Sequence, residues 1–127
     1  MKLILTASIK KVEFEPLKRI FPLETVKVAA KKSLQGLGDN IKSSTKIPKT
    51  VLKKIYLTST GGAGRAVFLL QISSLKSVLV MIKLKNDKQI GANMTINNPK
   101  FKKVLDKNLD LILTDLENGN FEEYELD

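Results

Sequence analysis

Lys54, Tyr56, Arg65, Lys83 and Lys85 are the residues of this 127-residue chain whose types and spacing suit chemistry. Arg65 opens one apolar run, Arg65–Ile72, and Lys83, Lys85 and Lys88 close a second, Val78–Leu84. Side chains alternate across a strand, so parity decides which polar groups share a face. In the second run the even positions Val78, Val80, Ile82 and Leu84 are all apolar, and the odd positions are Leu79, Met81, Lys83 and Lys85. In the first, Ala66, Phe68, Leu70 and Ile72 form the apolar set. Pairing these even faces through an odd-length turn such as Ser73–Ser77 predicts Arg65 opposite Lys85, on the face away from the core helices. A two-residue turn at Ser74-Leu75 would instead face Arg65 toward the core. In Val51–Thr58 the odd positions Val51, Ile55 and Leu57 read as buried, with Lys53 near the rim, which leaves Lys54 and Tyr56 on the face of Arg65. Four cations gathered there repel one another and ask for an anion. Val67, Leu69, Leu79 and Met81 share the face, so the chain itself or a partner protein must cover part of it.

The remaining composition narrows the chemistry. There is no cysteine and no histidine, which removes disulfides, Cys/His zinc sites and every Ser-His or Cys-His arrangement. Chemistry would rest on lysine, arginine, tyrosine and the backbone, with no metal and no cofactor expected. Residues 1–105 carry 21 Lys/Arg against 5 Asp/Glu, a net +16, whereas 106–127 carry 1 against 8, a net −7. A body this basic favours a polyanionic partner, nucleic acid first and acidic protein second. The acidic end Phe121–Asp127 either folds back on the basic body or stands as a solvated tail. The apolar stretch near the start ends at Lys10 and is too short for a spanning helix or a signal. No membrane segment and a reducing cytoplasm are the expectation.

The length, with 43 % hydrophobic residues, suits one domain over 1–127, with 118–127 as an acidic C-terminal extension. Residues 2–12 read as a first strand. Pro16 and Pro22 bracket at most a short helical turn, and Leu23, Val26, Ala30 and Leu34 recur at helical spacing over Glu24–Leu34, stopped by Gly36 and Gly38. Residues 36–50 read as a basic loop. Val51–Thr58, the glycine-rich Ser59–Gly64 and the two apolar runs make a three-strand antiparallel meander. Asn98 as N-cap, Pro99 at the first helical position, the stripe Phe101, Val104, Leu105, Leu109, Ile112 and Leu116, and Gly119 past the end define a helix over 98–117. Its charges oppose the helix macrodipole: Lys100, Lys102 and Lys103 in the first turn, Asp115 and Glu117 in the last. A phosphate bound at the N-terminal end would explain the lysines, as would simple exposure at small cost. The fold class read from these elements is α+β: a twisted antiparallel sheet of an N-terminal strand plus the meander, two N-terminal helices and a C-terminal helix.

The segment Lys53-Lys54-Ile55-Tyr56-Leu57 followed by Gly61-Gly62-Ala63-Gly64-Arg65-Ala66-Val67-Phe68-Leu69-Leu70, then Val78 to Lys88 and Asn93-Met94-Thr95, resembles the RelE/ParE superfamily of type II toxins, in its RelE/HigB-like branch. The likeness covers about Val51 to Leu116 and extends to the N-terminal half only in element order. It implies a RelE-like α+β domain, a cognate antitoxin protein as partner, and cleavage of messenger RNA in the ribosome by metal-independent attack of the ribose 2′-hydroxyl on the adjacent phosphate. Carried over by position, Arg65 contacts the scissile phosphate, with Lys85, Lys83 and Lys54 as the other catalytic cations. Tyr56, Lys53, Lys88, Lys100, Lys102 and Lys103 are the RNA-binding candidates. The tyrosine or histidine that several relatives use in proton transfer has only Tyr124 as a counterpart, in an acidic context that does not match. Two other readings remain: a ParE-like inhibitor of DNA gyrase, and an RNA- or ribosome-binding domain without catalysis.

Overall fold

The computed structural model describes residues 1–91 and 93–126. Asp127, the last residue of the acidic extension, lies outside the described residues. The strands are β1 (Lys2–Thr6), β2 (Asp39–Ile41), β3 (Val51–Ser59), β4 (Gly62–Gln71), β5 (Lys76–Leu84) and β6 (Phe121–Glu125). They form one sheet in the order β2-β3-β4-β5-β1-β6. The α+β class and the β3-β4-β5 meander are therefore present. The sheet is mixed, however, because β1 runs parallel to β5, and two strands join it where the sequence predicts a loop and an acidic extension.

The helices depart from expectation at the N-terminal end. The first strand stops at Thr6, and the chain coils through a helical turn α1 (Ala7–Ile9), a π turn (Lys10–Phe14) and a 3₁₀ turn (Glu15–Leu17). Only α2 (Leu23–Leu34) is a regular N-terminal helix. The C-terminal helix α3 (Pro99–Glu117) forms as the capping residues dictate: Asn98 Oδ1 accepts the Lys100 N–H at 3.1 Å, and Gly119 takes φ 71° beyond the end.

Register explains which faces are covered. Ser33 of α2 hydrogen-bonds Ser77 across 3.1 Å, which places α2 on the face of Ser77, Leu70, Phe68, Leu79, Ala66, Ile82 and Ile55. Val67, Leu69 and Met81, on the other face, are equally buried, and α3 packs there against β5 and β1. The face of Arg65 is thus not turned away from the core helices; α3 lies on it over β5 and β1, and the chain itself supplies the cover.

Between Val67 and Phe68 the β4–β5 register shifts: Val67 faces Met81, Phe68 faces Leu79, and Val80 has no cross-strand partner. This bulge corrects three expectations. The four-residue connection Ile72–Leu75, with Leu75 at φ 53°, would by itself set the apolar parities against each other. The extra residue restores them beyond Val80. Leu79 consequently joins the α2 face, Val78 the α3 face, and Arg65 stands opposite Lys83 rather than Lys85. On β3, Val51 is 45 % exposed and Leu52 is buried, Leu52 pairing with the buried Leu69.

Candidate functional site

Three adjacent strands contribute one cross-strand row. Tyr56 pairs with Arg65, and Arg65 with Lys83. The Arg65 guanidinium carbon lies 5.0 Å from the centre of the Tyr56 ring, close enough for a cation–π contact. Tyr56 is 59 % exposed, so one side of this pair is open to a ligand. Lys54 belongs to the next row, with Val67 and Met81, and is half-buried.

Lys83 is held differently. Its ammonium sits 3.4 Å from Glu13 Oε2, and the Glu13 carboxylate is almost wholly buried, 4 % exposed. Glu13 Oε1 accepts the Ile82 N–H at 3.0 Å, and Oε2 accepts Asn108 Nδ2 at 3.3 Å. Asn108 also donates to the Val80 carbonyl at 2.9 Å, the group stranded by the bulge. The local reason is topological. β1 pairs with β5 only over Lys76–Val78, so the backbone beyond needs other partners. The π turn delivers Glu13 to that edge and α3 delivers Asn108. Lys83 thereby shares a carboxylate and is kept from repelling Arg65, the like charge directly opposite.

Lys85 continues past the strand, its N–H bonded to the Ala63 carbonyl at 2.9 Å, and lines an open groove of about 440 Å³ with Gly61, Gly62, Ala63, Leu84 and Asn86. Lys53 points to the other face, its ammonium 3.1 Å from the Gly36 carbonyl. Lys102 is engaged by Asp106 at 2.8 Å and Ser43 at 3.2 Å. Lys88, Lys100 and Lys103 are exposed and, among the described residues, make no ion pair. The cations therefore do not form one cluster. The row of Tyr56, Arg65 and Lys83 is its ordered part, Lys85 borders it, and Lys53 and Lys102 serve the fold.

Tyr124 is remote from this row. It lies on β6, and its hydroxyl donates to Glu122 at 2.7 Å. That bond, with burial, raises its pKa above the ordinary value. Asp115, whose charge opposes the α3 dipole, has a structural role. Its Oδ2 accepts the Ser8 N–H at 2.8 Å, at the free start of the α1 turn. Among the described residues no three carboxylates gather as a metal-binding group, and no helix is long and apolar enough to cross a membrane.

Glu13 and Asn108 are the functional residues that parity could not find. Asn108 had a visible signal, since it falls on the apolar stripe between Leu105 and Ile112, where a polar side chain must meet a buried partner. Glu13 had none, because a π turn does not keep the 3.6-residue period.

No protein-family model matches the chain, and neither a curated protein nor a solved structure matches it.

Proposed function

We propose that the chain is a toxin of the RelE/ParE type that binds messenger RNA at the ribosome and cleaves it, and that a cognate antitoxin restrains it in the cytoplasm. The observation that carries this reading is the Arg65–Tyr56 pair: a guanidinium set 5.0 Å over an exposed ring, beside Lys54 and Lys85. Such a pair offers a phosphate a fixed cation and a base a stacking surface. In this reading the 2′-oxygen attacks the adjacent phosphorus as its proton passes to water, the 5′-oxygen leaves and takes a proton from water, and Arg65 with Lys54 and Lys85 neutralises the charge that grows on the phosphoryl oxygens. Lys83, already shared with Glu13, positions the row more than it binds.

Tyr124 does not supply the proton transfer, since it is tied to Glu122 on β6. This favours, as second reading, an RNA-binding domain without catalysis. One experiment separates the readings. Induced alone, a ribosome-dependent nuclease stops translation and leaves cut messages, and Arg65→Ala abolishes both while the folded protein persists. Arrested replication with intact messages would replace this reading by gyrase inhibition, and ribosome binding without growth arrest would replace it by the non-catalytic one.

A further inference from the structure

The glycines of the β3–β4 hairpin are occupied from outside. A Cβ on Gly61 would lie 3.3 Å from Ile20 Cγ2, and one on Gly64 would lie 2.7 Å from the Phe21 ring and from the Lys83 carbonyl. Two glycines therefore form notches into which Ile20 and Phe21 dock, and they fix the Lys18–Phe21 turn against the hairpin. Arg19, which is exposed, precedes Ile20 in the chain and so stands next to the residue that meets Gly61, at the hairpin whose groove is lined by Gly61–Ala63, Leu84, Lys85 and Asn86. The groove floor carries no side chain larger than Ala63 and Leu84, and Gly62, at φ 141°, would offer a Cβ nothing nearer than Leu84 Cδ2 at 3.9 Å.

We propose that this groove is a nucleotide subsite for single-stranded RNA, an inference that rests on the RNA-binding reading of the Arg65 row. A base lies flat on the peptide planes of Gly61–Ala63 and on Leu84. The Asn86 amide reads its edge, and Lys85 and Arg19 hold the flanking phosphates. The groove, at about 440 Å³, is of a size for one unpaired nucleotide. A flat backbone surface accepts a planar ring where side chains would prevent it, and the two cations come from separate segments of the chain. Arg19 and Asn86 had no place in the site derived from strand parity.

The test is binding of a fluorescent single-stranded RNA of mixed sequence to the full chain, by anisotropy across a salt series. Wild type is compared with Arg19→Ala, Asn86→Ala and the double variant Lys11→Ala/Lys107→Ala, which removes exposed charge elsewhere. Loss of one phosphate contact lowers the slope of log K against log salt by about 0.7 for a single strand. Arg19→Ala is expected to show that drop, Asn86→Ala a several-fold loss of affinity at unchanged slope, and the Lys11/Lys107 variant neither. A wild-type slope retained in Arg19→Ala, or an equal drop in the Lys11/Lys107 variant, would overturn the subsite while leaving RNA binding intact. No binding of RNA by the wild type would overturn the functional reading, and this subsite with it.

Discussion

Replacing Glu13 by alanine removes the acceptor that closes the unpaired edge of β5, and the cost can be worked from its contacts. The Ile82 N–H, 3.0 Å from Oε1 and buried, loses its side-chain acceptor. A stranded buried donor costs about 1–3 kcal/mol. Lys83 is 22 % exposed and reaches water by rotating, so its share is below about 1 kcal/mol. Asn108 retains the Val80 carbonyl at 2.9 Å and adds little. The expected loss is about 1–4 kcal/mol, most of it from the backbone group. Glu13→Gln keeps an oxygen for Ile82 but sets an amide NH2 where Oε2 accepted from Asn108 and Lys83, so it forfeits those two contacts and costs about 1–2 kcal/mol.

Urea unfolding of both variants checks this, with the midpoint of Glu13→Ala falling by about 0.5–2 M at unchanged slope and that of Glu13→Gln by less. Equal losses for the two would refute the reasoning, because they would move the energy from the Ile82 amide to the contacts of Oε2. A loss below about 0.5 kcal/mol for alanine would show that β5 needs no cap there.

Two further predictions concern the same end of the molecule. Gly64→Ala places a methyl 2.7 Å from the Lys83 carbonyl and the Phe21 ring, so it should destabilise by about 1–3 kcal/mol, whereas Gly61→Ala, whose nearest atom is a side-chain methyl at 3.3 Å, should cost less; thermal unfolding separates them. Asp87 accepts the Ile90 and Gln89 N–H groups at 3.0 Å, and the Ile90 bond chiefly holds its pKa below the ordinary 3.8, against the opposing effect of burial. A carboxylate depressed by folding contributes above its unfolded pKa and loses that contribution as pH falls through the folded value. Stability measured from about pH 5 down to about pH 2 should therefore fall less steeply in Asp87→Asn than in wild type.

Local signals made the meander and the last helix legible. Pro99 and Gly119 bound α3, and the alternation of Ala66, Phe68 and Leu70 identifies a buried face whatever lies on it. What parity could not supply is register across a bulge. A single unpaired residue at Val80 exchanges the faces of every position on one side of it, and nothing in Val78–Ile82, apolar at all five positions, marks where it falls. The same limit applies to β1. Leu3, Ile4 and Leu5 are buried on both faces, as suits a strand flanked by β5 and β6, so no alternation could announce that it stops at Thr6. Of the candidate site, that Tyr56 shares a face with Arg65 could be read from the β3–β4 alternation, whereas the register that sets them opposite could not, because β3 and β4 run on to Ser59 and Gly62 through residues that read as a glycine-rich connection. Glu13 depended on a tertiary contact spanning 69 residues and could not.

The acidic extension resolves the charge asymmetry in space. β6 is an edge strand, and its carboxylates meet the cations of one flank: Glu122 lies 2.8 Å from Lys10, Glu123 3.2 Å from Lys2 and 3.6 Å from Lys76, and Glu125 3.8 Å from Lys2. Exposed pairs of this kind contribute little to stability. Their consequence is electrostatic placement, since they cancel basic charge along β1 and line the edge strand β6 with negative side chains that disfavour pairing with another chain. Of the remaining cations, Lys54, Arg65 and Lys85 lie on β3, β4 and just past β5, Lys100 and Lys103 at the start of α3, and others on α2, the N-terminal turns and the segment between β2 and β3. The carboxylates of β6 repel a polyanion from that edge. Asp115 fits the same division: it serves the α1 turn beside β6, so the end of α3 nearest the acidic strand is acidic because the fold uses it there. Of the charges that oppose the α3 dipole, Asp115 is thus assigned to the packing of the N-terminal turn and Lys102 to Asp106 and Ser43.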